Sequence, residues 1–583
     1  MTYAPAGRLI VNSYCRTKFH PMRFFALLLC CVLSASHLLG QETISPLVPP
    51  NELETTLRNI EGQLSTVTLE KVEYEHDLRF DGEEPYLVTL EVRTLKGKKV
   101  TNDSYQFNLG NIDQDRIEYS EKKTHFELKL TCVDKQKFIQ HFKDSKQANY
   151  TQTLTLYARS ADQARALQST FRTAIPQARS LVEETVNLAG LENGMDWLAE
   201  QVDDIKVGKN FFSQSFERSE AISTQVQFLL DDEVTIINLI DLNPNSIAID
   251  VQGKKLMVVG QTDDKVDFIT QQKKGSLKGY SNKFALMVET VEEGKLTVDV
   301  LQKMIPWARE EFRQYVPVVN DRAEGLALLK EYVGTAMEGG SNKVGQTIEA
   351  SCITVLTQIK SGKKESVTHE TKFNLDDLDN KNLDVSISGK TITVDLQTES
   401  KQNLFQSFAN EQFDKYSNKH SIYAADVENA RYLQQLIPKV IGTCKSDIAL
   451  KGAGESAYFD WAQEHTVDLQ TPVAFYEQKL SQSSENSCEW TLEQTVGKAK
   501  KTVTHEYTFD LKNLDPEKIE FDISSKELAV KIAGVGRKKV IQHGQDDGKG
   551  SGEVNSFLLQ MDDIEKARQM KKSLKAAIQQ CGG

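Results

Sequence analysis

Short stretches of this chain alternate hydrophobic and polar residues with the period of half-buried β-strands. In "CEWTLEQ", Cys488, Trp490 and Leu492 alternate with polar residues, and "LDVSISGKTITVDL" and "FDISSKELAVKIA" show the same period around short turns. A helical period follows these stretches. In segment "DVENARYLQQLIPKVI" the apolar stripe is formed by Val427, Ala430, Leu433, Leu436, Ile437, Val440 and Ile441. The pattern predicts groups of about five to seven strands, each with a leading helix and a closing amphipathic helix.

A nine-residue pattern occurs four times, as "YQFNLGNID" (105–113), "TIINLIDLN" (235–243), "TKFNLDDLD" (371–379) and "YTFDLKNLD" (507–515). The equivalent residues Asn108, Asn238, Asn374 and Asp510 are 130, 136 and 136 residues apart. In three copies an Ala-Arg pair follows the phenylalanine of the pattern by 57 or 58 residues; the second copy keeps the distance without the letters. Two patterns at one separation indicate internal repeats. They divide the chain into segment 1 (51–182), segment 2 (183–316), segment 3 (317–446) and segment 4 (447–583), each of which we expect to be one domain.

The N-terminal region has the composition of a targeting sequence. Met22-Arg23 precedes the apolar run "FFALLLCCVLSASHLL", which ends at "GQET". Positive charge before a short apolar run is typical of a secretory signal peptide. We expect a signal region at 1–40, with Met22 favoured over Met1 as the start and cleavage after Gly40 or Ser36, and a linker at 41–50. The mature chain is then expected to lack a transmembrane segment and to be exported to the periplasm, the cell surface or the medium.

Five cysteines follow the predicted signal region. Export would place them in a compartment where disulfide bonds persist. Cys444 and Cys581 each lie fourteen residues after the alanine of the Ala-Arg pair, Ala430 or Ala567, on the predicted buried stripe. Cys352 and Cys488 each lie 21 residues before the phenylalanine, in the predicted first strand. The matched positions predict the disulfides Cys352–Cys444 and Cys488–Cys581. Cys132 is left as a small buried hydrophobic residue.

The stretches "LYARSADQARALQSTFRTAI" and "IYAADVENARYLQQLI" resemble the last strand and capping helix of the pleckstrin-homology-like fold. The resemblance implies an α+β protein of four tandem repeats, each an antiparallel curved sheet or partial barrel of about five to seven strands with a leading and a closing helix. The leading helix departs from the minimal pattern of that fold, so another α+β topology stays open. The "LLGQ" signal end and the "FNLDDLD…D.E.AR" pattern are similar to exported multi-repeat proteins of Bacteroidetes-type bacteria, which implies export and no particular activity.

Lysines cluster in the predicted first hairpin of three segments. They are Lys96, Lys98 and Lys99 in segment 1, Lys360, Lys363 and Lys364 in segment 3, and Lys498, Lys500 and Lys501 in segment 4. Because this hairpin often holds lipid phosphates in pleckstrin-homology-like domains, the resemblance implies an anion-binding site in these segments. The interpretation that we favour is a solvated turn whose lysines keep the edge of the sheet soluble.

The other polar patterns do not predict catalysis or a metal site. The His-Glu pairs at 369–370 and 505–506 recur, but adjacent residues of a strand point to opposite faces. The acidic group at 376–379 lacks the ligand spacing of a calcium-binding EF-hand loop. Trp197 and Trp461 lie among helically spaced apolar residues, which favours packing anchors over a sugar-stacking platform. No GxSxG, Walker-type or dinucleotide-binding motif is present. We therefore predict no enzyme activity, no cofactor and no metal.

Composition limits the class of partner. Of the 583 residues, 39% are hydrophobic and 26% are charged, which is ordinary for globular proteins, and the net charge of −13 argues against nucleic-acid binding. The sequence thus predicts an exported, non-enzymatic binding or scaffolding protein whose partner is an unknown protein or envelope component. The first alternative is a binder of anionic lipid head groups or envelope polysaccharide through the basic hairpins. The remote alternative is a hydrolase with its site at a repeat interface.

Overall fold

The computed structural model describes residues 52–182, 185–338, 342–361, 365–444, 455–498, 501–546 and 550–582. All of them belong to one compact unit, Glu52–Gly583. The predicted signal region (1–40) and linker (41–50) lie outside the described residues.

Eight α-helices occur in the described part of the chain. They are α1 (Glu52–Gln63), α2 (Ala161–Leu181), α3 (Leu191–Gln201), α4 (Val291–Glu311), α5 (Arg322–Tyr332), α6 (Val427–Cys444), α7 (Glu455–Glu464) and α8 (Ile564–Gln580). Each of α1, α3, α5 and α7 packs against the longer helix that closes the same segment. Thr290 caps α4 in a capping box. Its hydroxyl accepts from the backbone N of Glu293, and the Glu293 carboxylate accepts from the backbone N of Thr290. The stripe predicted for α6 is confirmed, because all of its apolar residues are buried.

The strands of segments 1 and 2 alternate with short turns. Segment 1 contains β1 (Val67–Leu69), β2 (Val72–Phe80), β3 (Leu87–Lys96), β4 (Lys99–Asn108), β5 (Glu118–Glu121), β6 (Phe126–Thr131), β7 (Ile139–Lys143), β8 (Lys146–Thr151) and β9 (Thr153–Ala158). Segment 2 contains β10 (Ile205–Val207), β11 (Asn210–Phe212), β12 (Gln214–Arg218), β13 (Gln225–Leu230), β14 (Glu233–Asn238), β15 (Ala248–Gln252), β16 (Lys255–Gln261), β17 (Ile269–Lys273), β18 (Ser276–Ser281) and β19 (Lys283–Val288).

Segments 3 and 4 follow a similar order of strands. Segment 3 contains β20 (Ala336–Glu338), β21 (Asn342–Glu349), β22 (Ile353–Ser361), β23 (Ser366–Asn374), β24 (Asp384–Ser388), β25 (Thr391–Gln397), β26 (Phe405–Ala409), β27 (Gln412–Ser417) and β28 (Lys419–Ala424). Segment 4 contains β29 (Leu469–Gln470), β30 (Phe475–Gln482), β31 (Glu489–Lys498), β32 (Lys501–Asp510), β33 (Glu520–Ile523), β34 (Leu528–Ala533), β35 (Ile541–Gln545), β36 (Gly552–Val554) and β37 (Ser556–Met561).

The described strands pair antiparallel in nine separate sheets. Three sheets have six strands, in the orders β1-β2-β3-β4-β7-β8, β20-β21-β22-β23-β26-β27 and β29-β30-β31-β32-β35-β36. Segment 2 instead has the five-stranded sheet β12-β13-β14-β17-β18 and the pair β10-β11. The remaining four sheets have three strands each, β5-β6-β9, β15-β16-β19, β24-β25-β28 and β33-β34-β37.

The fold class predicted from the sequence is therefore wrong. It had four repeats, each with one curved sheet or partial barrel of about five to seven strands, whereas the described residues are mostly β-strand, fall into nine small sheets and close no barrel. The reason is visible after β4, where the 3-10 turns Leu109–Asn111 and Gln114–Arg116 interrupt the ladder. Because a 3-10 turn directs its hydrogen bonds along the chain, the next two strands leave the first sheet: β5 pairs with β6, and β6 pairs with β9, in a second sheet.

The hydrophobic core crosses the predicted segment boundaries. One continuous cluster of buried residues extends from Leu53 in α1 to Ala308 in α4 and so includes both segment 1 and segment 2. Leu404 and Tyr416 of segment 3 belong to the core of segment 4, and Phe268 of segment 2 packs against the core of segment 3. Consecutive segments are thus joined by apolar contacts as well as by the chain, and the domain boundaries stay predictions.

Candidate functional site

A polar turn ends the strand in each copy of the nine-residue pattern. The side-chain oxygens of Asn108, Asn238, Asn374 and Asp510 accept hydrogen bonds from the backbone N two residues later, at 2.8, 3.3, 3.0 and 3.1 Å. Short amide and carboxylate side chains favour this Asx geometry, which starts a 3-10 turn in all four places. In segments 1, 2 and 3 the turn places the third residue after the asparagine beside the end of the strand. These residues, Asn111, Asp241 and Asp377, make the contacts described next.

At the junction of segments 2 and 3, the turn contacts the first residues of α6. Arg431 donates hydrogen bonds to the two carboxylate oxygens of Asp241 at 2.8 and 2.7 Å and to Glu428 at 3.1 Å. Asn238 Nδ2 donates to Glu428 Oε1 at 3.0 Å. The Arg431 and Asp241 side chains are 11% and 7% exposed, so this bidentate ion pair is shielded from water. It holds the turn of one segment to the closing helix of the next.

The junction of segments 3 and 4 repeats this arrangement at α8. Arg568 Nη2 donates to both carboxylate oxygens of Asp377 at 2.8 and 2.6 Å. Asn374 Nδ2 donates to Glu565 Oε1 at 3.4 Å, and Lys372 forms an ion pair with Asp563. The same type of contact therefore joins these two segments, with one additional ion pair.

The junction of segments 1 and 2 lacks the arginine–aspartate pair. Asn111 stands where the turns of segments 2 and 3 have aspartate, and Lys295 stands at the helix position of Arg431. Asn111 Nδ2 donates to Glu292 Oε1 at 3.2 Å. The contact between turn and helix is retained without a bidentate ion pair.

Burial sets the protonation of the junction carboxylates. Desolvation raises the pKa of Asp241 to about 6, although the Arg431 charge and hydrogen bonds act in the opposite direction. Desolvation likewise raises the pKa of Asp377 to about 6 against the opposing charge of Arg568. Both carboxylates are thus expected to ionise near neutral pH and to lose their charge in mild acid.

Spaces of very different size lie beside the three junctions. A cleft of about 440 Å³ lies between segment 1 and the start of α4. A cleft of about 610 Å³ lies beside the junction of segments 2 and 3. The crevice at the junction of segments 3 and 4 has only about 10 Å³. The first two are large enough for a small ligand or a peptide side chain with its flanking backbone, and the third is not.

Aromatic side chains line the cleft at the junction of segments 2 and 3. The rings of Tyr332 and Tyr432 stack with centroids 3.8 Å apart, and the Tyr315 hydroxyl donates to Ser223 Oγ at 3.2 Å. Stacking and hydrogen bonding fix the orientation of these walls. Arg431 also lines this cleft but is held by its carboxylate partners, so the cleft offers mainly aromatic surface and amide groups.

Two disulfide bonds are present in the pairs predicted from the sequence. Cys352–Cys444 has a Cα–Cα distance of 5.4 Å and Cys488–Cys581 a distance of 5.8 Å. Cys352 and Cys488 directly precede the long strands β22 and β31. Cys444 is the last residue of α6, and Cys581 directly follows α8. Cys132 is buried and unpaired, and burial raises the pKa of its thiol to about 11.

The predicted lysine positions differ in their surroundings. Lys96, Lys98 and Lys99 are exposed around the two-residue turn between β3 and β4, where Gly97 has a φ of 60°. Lys96 and Lys99 face each other across that hairpin, as the exposed Lys498 and Lys501 do across the hairpin of β31 and β32.

The lysines of segment 3 are different. Lys360 donates to the Tyr423 hydroxyl at 2.6 Å, and its ammonium lies over that ring. It is therefore engaged in a contact within the protein. Lys363, Lys364 and Lys500 lie outside the described residues.

The remaining candidate residues are engaged in packing or local hydrogen bonds. His505 Nδ1 and His543 Nε2 are 3.0 Å apart, and Trp461 stacks on His465 at 4.0 Å. Trp197 is partly buried against the core. Within the ranges that the structure describes, no group of three or more His, Cys, Asp or Glu side chains is arranged to hold a metal ion. Among the described helices, none is both long and apolar enough to cross a membrane.

Comparison with known proteins adds no assignment. No protein-family model matches the chain, and no curated protein matches it at a significant level.

Sequence reasoning missed the junction contacts and the clefts. It considered the acidic group at 376–379 as a calcium site, which it excluded, and used the Ala-Arg pairs to identify the repeats. One signal was available: Asp241 and Asp377 are each followed, one segment later, by an arginine at the matching helix position, whereas Asn111 is followed by Lys295. Residues that change together in this way are expected to be in contact.

Proposed function

We propose that this chain is an exported, non-enzymatic binding or scaffolding protein. The observation that carries the proposal is the pair of arginine–aspartate junctions, the largely buried Arg431–Asp241 and the partly buried Arg568–Asp377. Arg431 holds Asp241 through two nitrogens and Arg568 holds both oxygens of Asp377 through one, and such charged contacts restrict the rotation of one segment against the next. Surfaces on successive segments are then held at fixed separations, which is the property required of a scaffold and of a multivalent binder.

Two further features support this proposal. The disulfides fit a protein that works in an oxidising compartment outside the cytoplasm. The clefts at the first two junctions offer binding space between segments.

The test is affinity capture from solubilised envelope of the source cells, with the chain from Gln41 onward as bait. We expect a protein, lipid or glycan to be retained in near-stoichiometric amount and recovered with unchanged mass. Recovery of cleaved or chemically altered material would support the hydrolase alternative and contradict the proposal. Absence of any saturable retention would also contradict it.

A second candidate function is binding of anionic lipid head groups or polysaccharide. The observation that favours it is the exposed cluster Lys96, Lys98 and Lys99, for which no ion pair occurs among the described residues. Three cations within four residues give a local positive site on an acidic protein.

The test for this candidate is co-sedimentation with vesicles that contain anionic phospholipid, at low and at high salt. The variant has Lys96, Lys98 and Lys99 changed to alanine, and the charge-matched control has the exposed lysines Lys143 and Lys146, with Lys137, changed instead. Salt-sensitive binding that only the first variant loses would support the candidate. Equal loss in both variants would reduce it to non-specific charge attraction.

A further inference from the structure

The junctions of segments 1 and 2 and of segments 3 and 4 are two versions of one site. In the second, a crevice of about 10 Å³ is lined by Lys372, Phe373, Asn374, Gln406 and Glu565, among others. In the first, a cleft of about 440 Å³ is lined by the residues at the same positions of the repeated pattern. These are Gln106, Phe107, Asn108, Gln140 and Glu292.

The chain's own side chains close the crevice between segments 3 and 4. Lys372 reaches across to Asp563, and Gln406 Nε2 donates to the backbone oxygen of Asp562 at 3.0 Å. An ammonium group with its alkyl stem thus fills the space between the strand and the start of α8.

The cleft between segments 1 and 2 lacks that closing pair. Gln106 stands in the position of Lys372, and Thr290 stands in the position of Asp563. The amide of Gln106 is shorter than a lysine side chain and carries no charge, and threonine offers no carboxylate. The cleft therefore stays open, and its outer walls are free for a different occupant.

The charge of the open cleft is negative. Its lining includes the carboxylates of Asp81, Glu84, Glu289 and Glu292 and one cation, Arg79. Arg79 forms ion pairs with two carboxylates outside this lining, so little of its charge offsets the four acids. Burial, with smaller contributions from the charges of Glu292 and Glu289, raises the pKa of the Tyr150 hydroxyl to about 12.

A buried amide supplies a second, independent indication of a ligand. Asn108 is 2% exposed and lines the cleft, and its Oδ1 accepts from Gly110 N. Its equivalents Asn238 and Asn374 donate their amide hydrogens to a glutamate of the next segment. Across the described residues, Asn108 Nδ2 has no such acceptor, because Glu292 accepts from Asn111 instead. The Nδ2 group of this cleft-lining side chain is therefore available to donate to a carbonyl group of a ligand.

We propose that this cleft binds a lysine or arginine side chain of a partner polypeptide, in the place that Lys372 fills at the junction of segments 3 and 4. The cationic group lies against the carboxylates of Glu84, Glu289 and Glu292, and the backbone carbonyl of the bound residue accepts from Asn108 Nδ2. The alkyl stem packs on Phe107 and Tyr150. This inference rests on the proposed binding function and specifies the chemistry of one partner.

The test measures binding of capped pentapeptides Gly-Gly-Xaa-Gly-Gly by calorimetry to the chain from Gln41 onward. We expect saturable binding for Xaa lysine or arginine and at least tenfold weaker binding for glutamine or glutamate. The variant Gln106→Lys/Thr290→Asp transfers the closing pair into the cleft and should lower affinity for the lysine peptide at least tenfold. Because that variant could fail to fold, Glu289→Gln serves as a second variant, with an expected loss of about threefold or more. The exposed Glu121→Gln is the charge-matched control for Glu289→Gln and should leave affinity unchanged.

Several outcomes would overturn the inference. Equal binding of the lysine and glutamine peptides, or no saturable binding of either, would show that the cleft does not select a cation. Binding of putrescine or a divalent metal ion in preference to the lysine peptide would exclude a polypeptide occupant. If the closed variant still captures the same envelope component as the native chain, the proposed binding function stands and only the assignment of this cleft fails.

Discussion

Replacing Arg431 by methionine should weaken the junction of segments 2 and 3 by about 3 kcal/mol. The side chain is 11% exposed and donates hydrogen bonds to Asp241 and Glu428. Removal of one partner from a buried ion pair costs about 3–5 kcal/mol, because the other charge stays buried without compensation. The lower end applies here, since the pKa of Asp241 is already about 6 and rises further without the arginine, so the carboxyl takes up a proton at neutral pH.

The equivalent arginine of α2 provides a matched control. Arg165 is 61% exposed and pairs with Asp162, which is 92% exposed. Exposed pairs of this kind contribute about 0–1 kcal/mol, so Arg165→Met should change little. Urea unfolding at pH 7.5 gives the change in free energy, and hydrogen exchange of the first turn of α6 shows whether the loss is local to the junction.

A double-mutant cycle with Asp241→Asn isolates the pair itself. We expect a coupling energy between Arg431 and Asp241 of at least about 1 kcal/mol. A coupling below about 0.5 kcal/mol would refute the reasoning, as would a loss in Arg165→Met as large as that in Arg431→Met. In either case apolar contacts alone would hold the segments together.

Three further predictions concern pH and the cysteines. The folded pKa of about 6 for Asp241 and Asp377 lies above the unfolded value of about 4, so their contribution to stability is fully present below pH ~4 and is lost as the pH rises through 6. Relative to the Asp241→Asn/Asp377→Asn variant, the native chain should therefore gain stability in urea titrations as the pH falls from 7 to 4, by up to about 3 kcal/mol per carboxyl; a relative loss would contradict the dominant effect of burial. The Cys488→Ala/Cys581→Ala variant opens a loop of sequence separation 93. Its free energy of unfolding, measured in urea without reductant, should fall by up to about 4–5 kcal/mol. A fall of less than about 1 kcal/mol would show that the disulfide constrains the unfolded chain little. Cys132, buried with a pKa of about 11, should react with iodoacetamide at pH 8 slowly in the folded protein and rapidly in urea; fast labelling of the folded chain would place it at the surface.

The sequence was sufficient for the local elements and for the disulfides. Period-2 alternation around Trp490 and Leu492 predicts the strand that the structure has there, and the stripe of α6 is buried throughout. Local patterns work in these places because the side-chain periods of strands and helices follow from the backbone alone. The cysteine pairs followed from equal spacing in two copies, because equal positions in one pattern occupy equal places in space.

The arrangement of strands into sheets was not determined by these patterns. Alternation marks a strand as half-buried but does not state which strand it pairs with. The Asx turns after Asn108 and its equivalents redirect the chain to a second sheet, and their effect depends on hydrogen bonds formed only in the folded chain. The expected partial barrel failed for this reason.

The candidate sites divide in the same way. The sequence located the lysine hairpins, whose turn chemistry is local, but only the tertiary structure showed that Lys360 contacts Tyr423 while Lys96 stays exposed. The junction pairs and the clefts join residues more than 100 positions apart, such as Asp241 with Arg431. Whether a junction is open or closed depends on which side chain crosses it, as Lys372 does and Gln106 does not. The sequence by itself determined the elements and their cross-links, and the packing of distant segments decided where a ligand can bind, because a cleft exists only between surfaces that folding brings together.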